Sequence, residues 1–176
     1  GEKMREIRVN LDLTQKRISE LTGIDSVTIR RIENGKVIPK LETLELLSPI
    51  YKRDLINLLI KYRFDDYSLF LDIKNRIEFK LDSADFDTLN LELKELNVLL
   101  SSTNNSYYKV IIKQLILFVE AIALYKNNRG KYSEALNMLI KSIRMTTSSF
   151  DLDNYNSYVY SSTELRILMN IAFLLN

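Results

Sequence analysis

The chain contains no cysteine and no histidine among its 176 residues. This absence excludes disulfide bonds, thiol nucleophiles, zinc fingers and histidine-based metal or acid–base chemistry. Glycine and proline are scarce, with four and two copies, which favours long uninterrupted helices. No carboxylate pair, phosphate loop or nucleophile–base pair stands out among the other residues. The composition therefore predicts an all-α protein that is not an enzyme and needs no cofactor or metal.

The sequence also lacks a secretory signal and a membrane-length apolar run. Its first residues, GEKMREIRVNLDL, are charged and amphipathic. The most apolar stretch, 110–125, is interrupted by Lys113 and Glu120, and it falls short of the ~20 apolar residues that a membrane span needs. We expect a soluble, cytoplasmic protein with no membrane partner.

Charge of one sign is not in large excess, since the formal net charge is +2. The positive charge is nevertheless uneven. Residues 1–65 carry 13 Lys or Arg against 10 Asp or Glu, whereas residues 66–176 carry 12 against 13. This asymmetry is small, but its sign suits a phosphate-binding N-terminal part.

Short amphipathic helices are predicted at the N-terminus. Met4, Ile7 and Leu11 form the apolar face of a first helix, and Asp12 follows where the chain must turn. Thr14 is a favourable N-cap for a second helix, which would bury its apolar residues. Those residues are Ile18 and Leu21.

A third helix follows after a tight turn. Gly23 provides the positive φ that ends the second helix, and Asp25 or Ser26 caps the third. The third helix buries Ile29 and Ile32 and ends at Gly35. Two helices joined by a glycine-centred turn of a few residues are typical of the helix-turn-helix layout.

The exposed face of this third helix is basic and hydroxylated. If Ile29 and Ile32 pack inward, the residues left outside are Ser26, Val27, Thr28, Arg30 and Arg31. The first residues of a recognition helix enter the major groove, where Arg binds guanine, hydroxyls bind any base, and apolar groups touch the thymine methyl. Gln15 begins the second helix, where phosphate binding is favoured. Asn34 and Lys36 flank Gly35, and these positions suit contact with a neighbouring phosphate.

Taken together, TQ, then GIDSVTIRRIENG, then a proline and LETL resemble the Cro/repressor-type (Xre-like) helix-turn-helix domain. The resemblance runs from about residue 4 to 59 and implies a five-helix, lambda-repressor-like domain that binds double-stranded DNA. The implied helices are roughly 2–10, 15–22, 26–34, 41–48 and 53–60. One departure is Asp12, where the family often has glycine.

The resemblance also implies roles for single residues. Base contacts are implied for Ser26, Val27 and Arg31, with Thr28 and Arg30 beside them, and phosphate contacts for Gln15, Asn34 and Lys36. An implied pair of Arg8 with Glu33 is interpreted as structural, because a buried charge needs a partner. The alternative is a helix pair with a solvated basic face that binds no DNA.

The remainder of the chain keeps helical periodicity. Helices are predicted over 67–81 and 86–100, and a loop over 101–106. The segment ALYKNNRGKYSEALNMLIKSI, residues 123–143, resembles a tetratricopeptide-type helix pair that turns after Arg129. The first helix of a further repeat unit is predicted over 157–175. The alternative is an irregular helical bundle that only dimerises.

Two domains are thus predicted, a helix-turn-helix domain at 1–62 and a tetratricopeptide-like domain at 63–176. The apolar end, ILMNIAFLLN, predicts that the last helix packs on another subunit or that the chain is the front portion of a longer protein. We expect the latter, because solenoids end in polar capping helices.

The combination resembles the peptide-pheromone receptors of Gram-positive bacteria, the Rgg/PlcR-like regulators. That resemblance implies a homodimer that reads a two-fold DNA site and binds a short signalling peptide in its helical domain. Candidate peptide contacts are Asn75, Asn127 and Asn170, because an amide both donates and accepts. The rival hypotheses are a ligand-independent repressor and a protein-interaction adaptor.

Overall fold

The computed structural model describes residues 1–61, 67–127 and 130–175. These residues form ten α-helices and one 3-10 helix, and they contain no strand. The all-α prediction is therefore confirmed. The helices are α1 (Glu2–Asn10), α2 (Gln15–Thr22), α3 (Ser26–Glu33), α4 (Leu41–Tyr51), α5 (Leu55–Lys61), α6 (Tyr67–Asp82), α7 (Asn90–Ser102), α8 (Ser106–Asn127), α9 (Tyr132–Ile143) and α10 (Ser162–Leu175), with the 3-10 helix at Leu152–Ser157.

The chain divides into two compact units. The N-terminal unit comprises Gly1–Leu58 and Asp153–Val159, and the helical unit comprises Leu59–Leu152 and Tyr160–Asn176. The domain boundary predicted after residue 62 lies outside the described residues, as does Arg129, where the sequence predicts a helix end. The division into 1–62 and 63–176 stays a prediction.

Three residues set the bounds of α2 and the start of α3. The hydroxyl of Thr14 accepts a hydrogen bond from the Arg17 amide at 3.0 Å, which caps α2. Gly23 ends α2 in the left-handed region with a φ of 73°. Asp25 caps α3 by accepting from the Val27 amide at 2.8 Å, so of the two predicted caps the aspartate is used. This tight connection sets the angle at which α3 leaves α2.

The core of the N-terminal unit is aliphatic. Its fully or almost fully buried side chains include Ile18, Ile29, Leu44 and Leu47, and each contributes about 2 kcal/mol of burial free energy. Leu21, predicted to face inward, is 46% exposed. Three residues after Ile18 the helix has turned by about 300°, which places Leu21 at the rim of the face that α3 and α4 cover.

Helix α4 runs past its predicted end at residue 48 and through Pro49 to Tyr51. A proline in the last turn removes one helical hydrogen bond. Tyr51 is 1% exposed and its hydroxyl donates to Glu33 at 3.3 Å. These tertiary contacts of Tyr51 offset the hydrogen bond that Pro49 cannot make.

In the helical unit, neighbouring helices pack in chain order, most extensively α8 on α9 and α9 on α10. Polar side chains also join α6 to α10. The Arg166 guanidinium donates to both Asp82 carboxylate oxygens, at 2.9 and 3.2 Å, and Lys74 donates to the Ser162 hydroxyl at 2.7 Å. The hydrogen bond from Arg166 lowers the pKa of Asp82 below its ordinary value. Helices α6 and α10 are thus linked directly.

Helix α10 begins at Ser162 and not at the predicted residue 157. Ser161 and Glu164 form a reciprocal cap, because the Ser161 amide donates to the Glu164 carboxylate at 2.7 Å and the Glu164 amide donates to the Ser161 hydroxyl at 3.2 Å. Glu164 is 4% exposed and also accepts from the hydroxyls of Thr146 and Thr147. This shared carboxylate fixes where α10 starts.

We predict that Asp12→Gly stabilises the protein by up to about 1 kcal/mol, because Asp12 has a φ of 53° and a left-handed residue other than glycine is strained. Asp12→Ala should destabilise it. Urea unfolding followed by circular dichroism measures both effects. Asp87→Gly, at an exposed turn residue outside the left-handed region, is the control and should not stabilise. An unchanged or lower stability for Asp12→Gly would contradict the strain argument.

Candidate nucleic-acid interface

The eight residues predicted to bind DNA lie in α2, in α3 and in the turn after α3. Along α3, Val27 is 48% exposed, and Thr28, Arg30 and Arg31 are also exposed, while Ser26 is half-buried. Asn34 and Lys36 are exposed and Gln15 is half-buried. The structure leaves the side chains of the predicted set wholly or partly accessible to a ligand.

The faces of α3 separate core from solvent. Ile29, Ile32 and Glu33 are buried. At 100° per residue, Val27 and Arg31 share the opposite face, one turn apart. Arg30 and Thr28 lie on the two flanks of that face. The central exposed positions of α3 are therefore an apolar residue and an arginine, which suit a thymine methyl and a guanine edge.

The cations of this surface are unpaired within the described part of the chain, where Arg30, Arg31 and Lys36 make no ion pair or side-chain hydrogen bond. Binding a phosphate or a base with them would therefore break no existing interaction. By contrast, Arg17 on α2 pairs with Glu20 at 3.3 Å.

The buried carboxylate of Glu33 binds side chains from three other helices. Arg8 of α1 donates from Nε to Oε1 at 2.6 Å and from Nη2 to Oε2 at 3.0 Å, which confirms the pair implied by the resemblance. Gln15 of α2 donates from Nε2 to Oε2 at 2.7 Å, and the Tyr51 hydroxyl of α4 donates to Oε1. The sequence did not predict these last two bonds, although a buried tyrosine hydroxyl needs a partner.

These contacts set the ionisation of the cluster. Burial acts to raise the pKa of Glu33, but the hydrogen bonds from Arg8, Gln15 and Tyr51 and the charge of Arg8 outweigh it and lower the pKa below its ordinary value. Burial, together with the charge and hydrogen bond of Glu33, raises the pKa of Tyr51. At neutral pH the cluster therefore holds one carboxylate, one guanidinium and a neutral phenol.

The Glu33 bond also positions Gln15. The bond holds the start of α2 against the end of α3, because Glu33 is the last residue of α3 and directly precedes Asn34. The Gln15 amide nitrogen carries two hydrogens, and one of them is donated to Glu33. The other hydrogen is the donor that a phosphate contact would use, and that contact stays a prediction.

The candidate peptide contacts in the helical unit differ in their surroundings. Asn75 on α6 is exposed. Asn170 accepts a hydrogen bond from the Tyr125 hydroxyl at 2.7 Å and donates to the Arg166 carbonyl at 2.8 Å, so its amide is used within the unit. The side chain of Asn127 lies outside the described residues.

Within the described ranges, no group of three His, Cys, Asp or Glu side chains is arranged to hold a metal ion. None of the helices described is both long and apolar enough to cross a membrane.

We predict that Glu33→Gln destabilises the protein by roughly 3 kcal/mol, because the partly buried Arg8 loses its carboxylate partner. The folded-state pKa of Glu33 is lowered, so its stabilisation is complete above the unfolded-state pKa (about 4.3) and is lost as pH falls through the folded-state value. Urea unfolding at neutral and acidic pH measures the free energy of unfolding of the wild type and of the variant. The difference between the two free energies should be smaller at acidic pH.

The control for this prediction is Glu20→Gln, which removes a half-exposed carboxylate from the same unit. It should change stability little, and equally at both pH values. A pH-independent gap for Glu33→Gln would show that Glu33 stabilises the fold through packing and not through its charge.

The comparisons with known proteins agree with this geometry. Residues 4–55, somewhat less than a third of the chain, match a family model described as Helix-turn-helix. No curated protein and no solved structure matches significantly. The match does not reach the later helices, so it lends no support to their tetratricopeptide-type resemblance. The match runs from within α1 to the first residue of α5, and the N-terminus of this helical protein is therefore a helix-turn-helix domain of the Xre type, a type of domain that is typical of DNA-binding transcription regulators.

Proposed function

We propose that this protein is a sequence-specific transcription regulator that reads DNA with α3 and acts in the cytoplasm as a homodimer. One observation carries the proposal: Val27 and Arg31 share the solvent face of α3, opposite Ile29 and Ile32, and Arg31 is unpaired within the described residues. In the free protein, this exposed arginine and the exposed aliphatic residue one turn away contribute little to the stability of the fold. Their chemistry matches base edges in a major groove.

The roles within the surface are those that the helix-turn-helix resemblance implies. Ser26, Val27 and Arg31 contact base edges, with Thr28 and Arg30 on the flanks. Phosphate contacts come from Gln15, Asn34 and Lys36, which surround the end of α3. Phosphate contacts supply much of the affinity and its salt dependence, whereas base contacts supply the specificity.

Arg31→Ala should weaken binding to the operator by ~1–3 kcal/mol and relax specificity at one base pair. Lys36→Ala should instead weaken binding to all sequences and reduce the slope of log K against log salt by about 0.9. Both are measured by fluorescence anisotropy at several salt concentrations. Arg53→Ala is the matched control, since it removes from the turn after α4 one exposed cation that has no partner among the residues described.

Two outcomes would contradict this assignment of roles. In one, Arg31→Ala and Arg53→Ala lower affinity equally. In the other, Arg31→Ala leaves the preferred sequence unchanged while the fold, followed by circular dichroism, is intact.

The homodimer predicts a two-fold symmetric DNA site whose half-sites lie about one helical turn (~34 Å) apart. Selection of bound sequences from a random pool, followed by footprinting, should recover an inverted repeat. Protection of one asymmetric half-site by a monomer, with the molecular mass of the complex measured by light scattering, would exclude this arrangement.

Control by a peptide is the further part of the proposal, supported by an open cleft between α6 and α7. Apolar and charged side chains line it, and its volume of about 390 Å³ falls within the range of ligand pockets. The lining residues are Leu69, Ile73, Arg76, Lys94, Glu95, Val98, Leu99 and Ser102. A peptide placed between α6 and α10 would first have to displace the bonds of Arg166 and Lys74.

The same selection, repeated with a pool of synthetic peptides, tests this control. A shift in the recovered sequences or in affinity supports a peptide-controlled regulator. An unchanged selection, together with no thermal shift by the peptides, supports a ligand-independent repressor. Protein capture without any operator binding supports an adaptor.

A further inference from the structure

Three aromatic rings from separate parts of the helical unit converge on one ammonium group. Nζ of Lys126, near the end of α8, lies 4.9 Å from the ring centroid of Phe86, and 5.3 Å from those of Tyr125 and Phe173. Phe86 precedes α7 and Phe173 belongs to α10. A cation within about 6 Å of a ring centroid is attracted by the ring quadrupole, so all three rings act on the same charge.

Two of the rings, those of Tyr125 and Phe173, also make contacts that do not involve Lys126. Tyr125 is 5% exposed, and the centroid of its ring lies 6.2 Å from that of Phe173 and 6.4 Å from that of Tyr132. The Tyr125 hydroxyl donates to Asn170. Phe173 is 61% exposed, so the cluster is open to solvent on one side. We call Phe86, Tyr125 and Phe173 the aromatic cage.

Lys126 has no carboxylate partner within the described ranges, because none of their ion pairs includes it. Its side chain is exposed, and its ammonium group can return to water without breaking an ion pair. The rings are therefore the charge partners that the structure gives Lys126.

Hydration decides which cation suits such a site. A lysine ammonium is compact and strongly hydrated, so moving it from water to the rings gains little free energy. A quaternary ammonium carries its charge under a shell of methyl groups and loses less hydration, and aromatic cages are the usual receptors for it. Exchange of Lys126 for a quaternary ammonium would free the lysine to regain its water.

We propose that the aromatic cage binds the quaternary ammonium group of a small-molecule ligand, and that Lys126 occupies the cage while the ligand is absent. The site lies wholly within the helical unit. It involves none of the residues proposed to bind DNA, so it stands or falls independently of that function.

The test is a titration of the whole chain with choline, followed by the NMR signal of the ligand's methyl protons, which ring currents shift upfield. We expect a saturable upfield shift. The uncharged isostere of choline, in which carbon replaces the quaternary nitrogen, should bind about fivefold to tenfold more weakly, since it lacks the attraction of a cation to several rings.

Variants separate the cage from general surface binding. Lys126→Ala vacates the cage and should tighten choline binding severalfold. Phe173→Ala and Phe173→Leu remove a ring from an exposed position and should each weaken binding about fivefold or more, with the helical circular dichroism unchanged. Lys141→Ala and Phe79→Ala change exposed residues outside the cage and should have no effect.

Three results would overturn the proposal. One is the absence of a saturable shift in both the wild type and Lys126→Ala. Another is equal binding of choline and its uncharged isostere. The third is equal binding by Phe173→Leu and the wild type, because the leucine preserves apolar area but not the ring.

Discussion

A carboxylate taken out of water must be surrounded by donors, and in the N-terminal unit that requirement falls on Glu33. Its donors are Arg8, Gln15 and Tyr51, so one side chain of α3 binds α1, α2 and α4 at once. Aliphatic packing is tolerant of small shifts, whereas hydrogen bonds to two fixed oxygens are not. The pose of α3 relative to the three helices around it therefore depends on this carboxylate.

This arrangement separates the stability of α3 from its proposed reading function. Ile29, Ile32 and Glu33 hold the helix from one side, while Val27 and Arg31 lie on the other and contribute little to the core. The solvent face can therefore change without loss of the fold. Gln15 is the exception, because its amide supports Glu33 and would also bind a phosphate, so its substitution affects both.

The helical unit uses a second buried carboxylate in a comparable way. Glu164 lies in the first turn of α10, accepts from Thr146 and Thr147 after α9, and closes the cap with Ser161. The position of α10 then brings Arg166 to Asp82 and Phe173 to Lys126. Both the link to α6 and the aromatic cage thus depend on where this one helix starts.

Local patterns in the sequence were sufficient for the turn at Asp12 and the caps at Thr14 and Gly23, and the family resemblance implied the bounds of α1 and α2 and the pair of Arg8 with Glu33. Those features rest on helical periodicity, on turn chemistry between near neighbours, and on the family resemblance. The start of α10 was missed although its cap is local, since Ser161 and Glu164 have the spacing of a capping box. The exposure of Leu21 was missed because a residue three positions after Ile18 lies at the edge of the same helix face and not at its centre. The passage of α4 through Pro49 was missed because the bond of Tyr51 to Glu33 that supports it joins residues far apart in the chain. The same holds for the bonds of Gln15 and Tyr51 to Glu33 and for the cage around Lys126. The sequence by itself determined which segments are helices and which face of α3 is basic, since both depend on residues that are close together in the chain. Only the tertiary structure decided how buried charges are shared and which distant rings meet, because distance in space is not encoded by distance in the chain.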